Sequence, residues 1–222
     1  MRYMTTAEIR EKYLSYFESK GCKRMPSSSL IPDDPSLLLT SAGHGAVQAV
    51  LLAAEAPGRP LYRATTVQKC VRTNDIDIIG TDGRHLSFFE MLGNFSFGKY
   101  FKNEMCTWAY EFSTEVLGLP KEKLYFTVFE DDDETIEIWK SLGVEDSHIS
   151  RLGEDDNFWR AGPTGPCGPC SEIYLTRPRS RLRQPRLRAW LRLRSLPRVL
   201  ELRRSLSSMA RKTARLLRCL RT

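Results

Sequence analysis

No run of about 18 apolar residues occurs in this 222-residue chain, which excludes a membrane-spanning helix. The N-terminus, MRYMTTAEIREKYLSYF, carries charges through its apolar positions and has no signal-peptide core. Histidine is scarce, at three residues. Neither a His-x-x-x-His pair nor a second Cys-x-x-Cys accompanies Cys167-Gly-Pro-Cys170, so the sequence offers no four-ligand zinc set and no zinc is expected. The six cysteines (Cys22, Cys70, Cys106, Cys167, Cys170 and Cys219) are scattered, and without an export signal they read as reduced thiols of a cytoplasmic protein. A thioredoxin-like use of the Cys-x-x-Cys would need a strand–helix junction, and this one sits between prolines ahead of a strand-like SEIYL. Internal repeats are also missing, which excludes repeat architectures.

What is present is unevenly charged. The formal net charge of +7 hides a division of the chain. Sixteen of the 34 Lys and Arg residues, but one of the 27 acidic ones, fall in 177–222; that leaves 18 basic against 26 acidic residues in 1–176. A mildly acidic domain, 1–176, therefore carries a basic Arg/Leu-rich tail, 177–222, and any argument for nucleic-acid binding from the overall pI concerns the tail.

Periodicity supplies the elements. Thr5 and Glu8 have capping-box spacing, Ile9, Tyr13 and Phe17 form one stripe, and Gly21 stops the helix. LYRATTVQKCVRT (61–73) and HLSFFEML (85–92) read as strands joined by the Asn/Asp/Gly loop NDIDIIGTDGRH, and NFSFGKYFK (94–102) as an aromatic turn. NEMCTWAYEFSTEVLGLP (103–120) is predicted as an amphipathic helix, LYFTVF (124–129) as a strand, and EDDDETIEIWKSLG (130–143) as a helix with acids at its positive end. EDDDE could instead hold magnesium. The order of elements predicts an α+β fold, helices packed on an antiparallel sheet.

The segments SSSLIPDDPSLLLTSAG, VQKCVRT…GRHLSFFEMLGNFSFGKYFK, TVFEDDDETIEIW and DNFWRAGPTGPCGPCSEIY follow one another in the order found in the alanyl-tRNA synthetases, and the chain from about residue 3 to Tyr174 resembles the N-terminal aminoacylation domain of that class II aminoacyl-tRNA synthetase family. The resemblance implies ATP, with Mg²⁺ carried on its phosphates, and alanine and tRNA(Ala) as partners. It makes Arg72 the catalytic arginine on the α-phosphate, a role that suits a planar guanidinium gripping two oxygens; the alternative is a surface arginine pairing with Asp75 or Asp77. Phe88, Phe89 and Glu90 become ATP-binding residues. One ring would lie under adenine and the other would pack in the core, while Glu90 would accept from the adenine amino group or orient Arg72. Arg84 and His85 would reach the polyphosphate or the RNA end. Trp159 would wall the amino-acid pocket, or be a core tryptophan, and Glu172 would be a substrate-side carboxylate. The loop TNDIDIIGTDG departs from the glycine-rich, lysine-bearing loop expected of many members.

After Leu175 the resemblance stops. The family's acidic stretch, its strands with the pocket's Asn and Asp, its third motif (G-x-G-x-E-R) and its later domains have no counterpart in 177–222. Arg, Leu, Pro and Ser dominate there instead, the composition of a G/C-rich coding strand read out of frame. The expectation is a truncated catalytic domain, inactive alone, followed by an unstructured tail. The alternative is a non-catalytic RNA-binding paralogue that uses the basic tail.

Overall fold

The computed structural model describes residues 3–32, 38–43, 63–73, 76–81, 86–160, 167–176 and 199–202. The chain divides into two compact units, the first Tyr3–Phe101 and the second within Lys102–Thr222. The boundary lies inside the segment read as one domain.

In the first unit, α1 (Thr6–Ser19) begins at the capping box: the Thr5 hydroxyl accepts from Glu8 N–H, and Glu8 carboxylate accepts from Thr5 N–H. It ends where Gly21 takes φ +80°, a conformation that favours glycine. Tyr13, Leu14 and Phe17 are its buried face. The sheet has the order β1 (Lys23–Met25), β2 (Arg63–Val71), β3 (Phe88–Ser96). β2 and β3 are antiparallel, with Cys70 opposite Phe89 and Ala64 opposite Phe95. β1 runs parallel to β2. α1 is tied to one face of this sheet, where Asn94 Nδ2 donates to Tyr13 Oη at 2.8 Å and Arg10 pairs with Glu90. β3 continues through Ser96, past the start of the aromatic turn predicted at 94. Asn94 is held there by Tyr13 and Tyr100, and Phe95 and Ser96 still pair with β2.

In the second unit, α2 (Lys102–Glu111) loosens into one π-helical turn, Phe112–Val116. β4 (Leu124–Phe129) leads through α3 (Asp133–Ser141) to β5 (Ile149–Leu152), a crossover that lets β5 lie parallel to β4. A short helix, α4 (Glu154–Asn157), precedes the hairpin of β6 (Phe158–Arg160) and β7 (Cys167–Pro169). β8 (Ser171–Thr176) pairs antiparallel with β4 on one side and with β9 (Val199–Leu202) on the other, giving the order β5-β4-β8-β9. Trp139, Phe112, Phe126, Leu124 and Val128 are fully buried here, and each contributes about 1.5–3 kcal/mol of burial. The Trp139 ring lies 4.6 Å from that of Phe126, and its indole N–H donates to Ser171 Oγ.

The fold is α+β, as predicted, with helices on its sheets. The sheets are mixed, because β1–β2 and β4–β5 are parallel pairs. The carboxylates of EDDDE act at a helix start. Asp132 caps α3 and takes the ammonium of Lys102 at 2.5 Å. The tail, expected to be unstructured, forms a strand at residues 199–202, and the rest of it lies outside the described residues. Among the described residues no helix is long and apolar enough to cross a membrane.

Candidate functional site

β2 and β3 position the first group of candidate residues. Arg72 is the first residue beyond β2, and its backbone N–H still bonds Ser87 O at 2.8 Å. It shares a face with Cys70, Gln68 and Thr66, since alternate residues of a strand point the same way. Phe89, opposite Cys70, belongs to that face, and the Arg72 guanidinium lies 5.2 Å from its ring centroid, a cation–π contact. Arg72 Nε donates to Ser41 O at 2.9 Å. No further hydrogen bond of Arg72 is made among the described residues.

A chain of hydrogen bonds fixes the backbone that holds Arg72. Gln68 is fully buried, and its carboxamide oxygen accepts from Ser28 N and Oγ at 2.8 and 3.0 Å. Its amide nitrogen donates to Ser28 O at 3.2 Å and Lys69 O at 2.8 Å. The next residues, Ser29 and Leu30, accept from the hydroxyl and N–H of Thr40. Thr40 O in turn takes Val71 N–H at 2.9 Å, one residue before Arg72. This brace escaped the sequence reading, although the even spacing of 68, 70 and 72 on one strand was a usable signal.

Phe88 and Glu90 project to the opposite face. Phe88 is 51% exposed and Phe89 is half-buried, so neither ring packs in the core, as one of them was expected to. Glu90 does not orient Arg72. Its Oε2 accepts from Arg10 Nη2 at 2.8 Å and Nε at 3.2 Å, because odd and even residues of β3 face opposite ways. Burial pushes the Cys70 thiol up to about 11, so it stays protonated near neutral pH and is a packing group. Arg84 and His85 lie outside the described residues, as do Asp75 and the loop residues 74, 82 and 83.

The second unit carries the other candidates. Trp159 on β6 faces Gly168 of β7 in register, and its indole N–H is buried with no hydrogen-bond partner among the described residues. The preceding Asn157 is fully buried and clasps Cys170 in both directions: Nδ2 donates to Cys170 O at 2.9 Å, and Cys170 N–H donates to Asn157 O at 2.8 Å. This clasp fixes the exit of the Gly-Pro-Cys turn into β8. Glu172 is half-buried on β8, and its carboxylate accepts the hydroxyl of Tyr174. Cys167 is half-buried and Cys170 buried, and among the described residues no three His, Cys, Asp or Glu side chains gather to hold a metal.

An antiparallel strand pair with an arginine at its end and an aromatic ring beneath it, on an α+β scaffold, is the arrangement implied for class II synthetases. The family of class II (A) tRNA synthetases matches residues 8–199, and the chain belongs to it. Among curated proteins it is similar to the alanine--tRNA ligase of Caldicellulosiruptor saccharolyticus, 59% identical over 177 residues that make up 79% of this chain and 20% of the relative. That of Fervidobacterium nodosum is 58% identical over 165 residues, 74% of this chain and 19% of the relative. That of Thermus thermophilus is 55% identical over 183 residues, 78% of this chain and 21% of the relative. The chain thus spans about a fifth of the length of the curated relatives it matches. The family match runs past Leu175, where the resemblance read from the motifs stops, and reaches the first residue of β9.

Proposed function

We propose that this chain carries the ATP-binding strands and part of the amino-acid pocket of a cytoplasmic alanine--tRNA ligase. The parent reaction joins alanine and ATP into alanyl-adenylate with release of pyrophosphate, then moves the alanyl group to the 3′ end of tRNA(Ala). In the first step the alanine carboxylate attacks the α-phosphate, and the bond from that phosphorus to the pyrophosphate oxygen breaks. Arg72 would grip the α-phosphate oxygens as charge builds on them. Phe89, already under the guanidinium, is the ring better disposed toward a ligand of Arg72, while Phe88 and Glu90 lie on the other face of β3. Arg84 and His85 would meet the polyphosphate. Trp159 would wall the alanine pocket with Glu172 nearby in sequence. Mg²⁺ neutralises phosphate charge in such reactions. By the class II resemblance it would ride on the ATP phosphates.

The observation that carries this reading is Arg72, held at Nε by Ser41 and seated on Phe89. The chain lacks the G-x-G-x-E-R segment and its γ-phosphate arginine. Loss of one preorganised charge contact costs about 10²–10³ in rate. A polypeptide of these 222 residues by themselves, without that segment, is expected to bind ATP weakly and not to turn it over. The test is alanine-dependent ATP–pyrophosphate exchange by the purified chain. None is expected; exchange above background, dependent on alanine and abolished by Arg72→Ala, would overturn the inactivity. A second reading, a non-catalytic RNA-binding paralogue, is favoured by the sixteen basic residues of 177–222. Salt-sensitive tRNA binding that depends on those residues, without ATP binding, would favour it over the first.

A further inference from the structure

The acceptor of the Arg72 Nε–H is the carbonyl of Ser41, and what holds that carbonyl decides where Arg72 points. Upstream of Ser41, Thr40 is anchored three times: its N–H donates to Leu30 O, its hydroxyl to Ser29 O, and its carbonyl accepts from Val71 N–H. Downstream, Gly43 is buried, and its N–H donates to the thioether Sδ of Met91 at 3.1 Å. Met91 stands opposite Gln68 in the β2–β3 register and two residues along β3 from Phe89. Alternate strand residues share a face, so the thioether lies on the face of Phe89 and Arg72. The approach of the strap is close, since a Cβ on Gly43 would stand 3.4 Å from both Met91 Sδ and Phe95 Cζ. The peptide that offers its carbonyl to Arg72 is thus tied to β2 through Thr40 and to β3 through Met91.

We propose that Met91 is a positioning residue for Arg72, acting through its sulfur on Gly43 and so on the Ser41 carbonyl. Without the sulfur the strap is tied through Thr40 alone, the Ser41 carbonyl turns, and the Arg72 Nε–H loses its acceptor. The arginine then samples more rotamers, and a phosphate ligand must order it again on binding. The effect on ATP rests on the reading of Arg72 as a phosphate contact; the link from Met91 to Arg72 holds without ligand. An apolar side chain of similar size fills the same space but accepts no hydrogen bond, so the acceptor and not the bulk is the feature under test.

The test uses the full chain carrying Met91→Leu. Nitrogen-15 NMR of the ligand-free protein reads hydrogen exchange at the Gly43 amide and at the Arg72 Nε–H, the latter identified as the signal absent from Arg72→Lys. Both should exchange at least about threefold faster in the variant, the size expected for one net hydrogen bond, while the amides of β2 and β3 keep their wild-type rates. The dissociation constant for Mg·ATP, from isothermal titration, should rise by a similar factor of about three. If the leucine variant loosens the β2 and β3 amides, norleucine incorporated in place of methionine keeps the side-chain shape, removes the sulfur and is read in the same way. A wild-type exchange rate at the Arg72 Nε–H would overturn the proposal, whether or not the Gly43 amide quickens. So would unchanged ATP affinity in a variant of a chain that binds ATP. Absence of ATP binding by the wild-type chain would count against the phosphate role of Arg72 and leave the exchange rates to decide the part played by Met91.

Discussion

Replacing Gln68 by Ala removes the piece that braces the strand leading to Arg72. The buried carboxamide makes four hydrogen bonds, three to Ser28 and one to Lys69 O. Each is worth about 0.5–1.5 kcal/mol net, and a buried partner left alone costs about 1–3 kcal/mol. Ser28 is half-buried, so water can repair part of the loss. The expected cost is about 2–4 kcal/mol, a large share of the roughly 5–15 kcal/mol that holds a domain together. All four tryptophans, at 108, 139, 159 and 190, lie beyond residue 101, so their fluorescence reports the second unit. The first unit is better followed by hydrogen exchange of β2 amides, converted to opening free energies. Gln68→Glu sharpens the test. It exchanges the donating nitrogen for an oxygen that faces two carbonyls, so at neutral pH it should destabilise at least as much as Ala, and it should recover as acid protonates it. Opening free energies of both variants within about 0.5 kcal/mol of wild type would refute the brace, given the magnitudes above.

Gly93→Ala should destabilise the first unit by about 1–3 kcal/mol through overpacking, because the new Cβ would stand 2.8 Å from Cε2 of the buried Phe95 ring; the same exchange measurement checks it, and a neutral result would mean that the ring moves freely. Asp132→Asn keeps a helix cap but loses the ion pair with Lys102. Burial alone would raise the Asp132 carboxyl, yet the bonds from Lys102 and Thr135 bring it below the usual aspartate range. A lowered folded-state value means stability that is present above the unfolded value and lost as pH falls through the folded one. The variant should therefore melt about 1–2 kcal/mol less stable at pH 7 by tryptophan fluorescence, with the difference shrinking only as the pH falls below about 4; a difference independent of pH would sink this assignment.

Local patterns were legible where the physics is local. The capping box of Thr5 and Glu8, the strand 124–129 and the acidic start of α3 are found where period and charge put them. Arg72 follows β2 directly and Phe88, Phe89 and Glu90 open β3, all within the two segments read as strands from the sequence. Contacts between distant segments were not legible. Glu90 is claimed by Arg10, eighty residues away, and a strand pattern gives a residue's face without naming what covers it. The same holds for Gln68 with Ser28 and Thr40 with Val71, whose partners are set by the return of the chain. β1, with three residues, is too short for periodicity to detect. β9 was hidden by composition, because four alternating residues inside an arginine-rich segment do not stand out until β8 supplies their partner.

The central claim is that the β2–β3 unit binds ATP through Arg72, and isothermal titration of the 222-residue chain with Mg·ATP tests it most directly. Weak, saturable binding is expected, reduced at least about tenfold in Arg72→Ala, as the loss of one charge-assisted contact would cause, while β2 and β3 amides keep their wild-type exchange rates. Binding of equal strength in the variant, or no binding by a wild-type chain whose β2–β3 amides are protected, would contradict the claim.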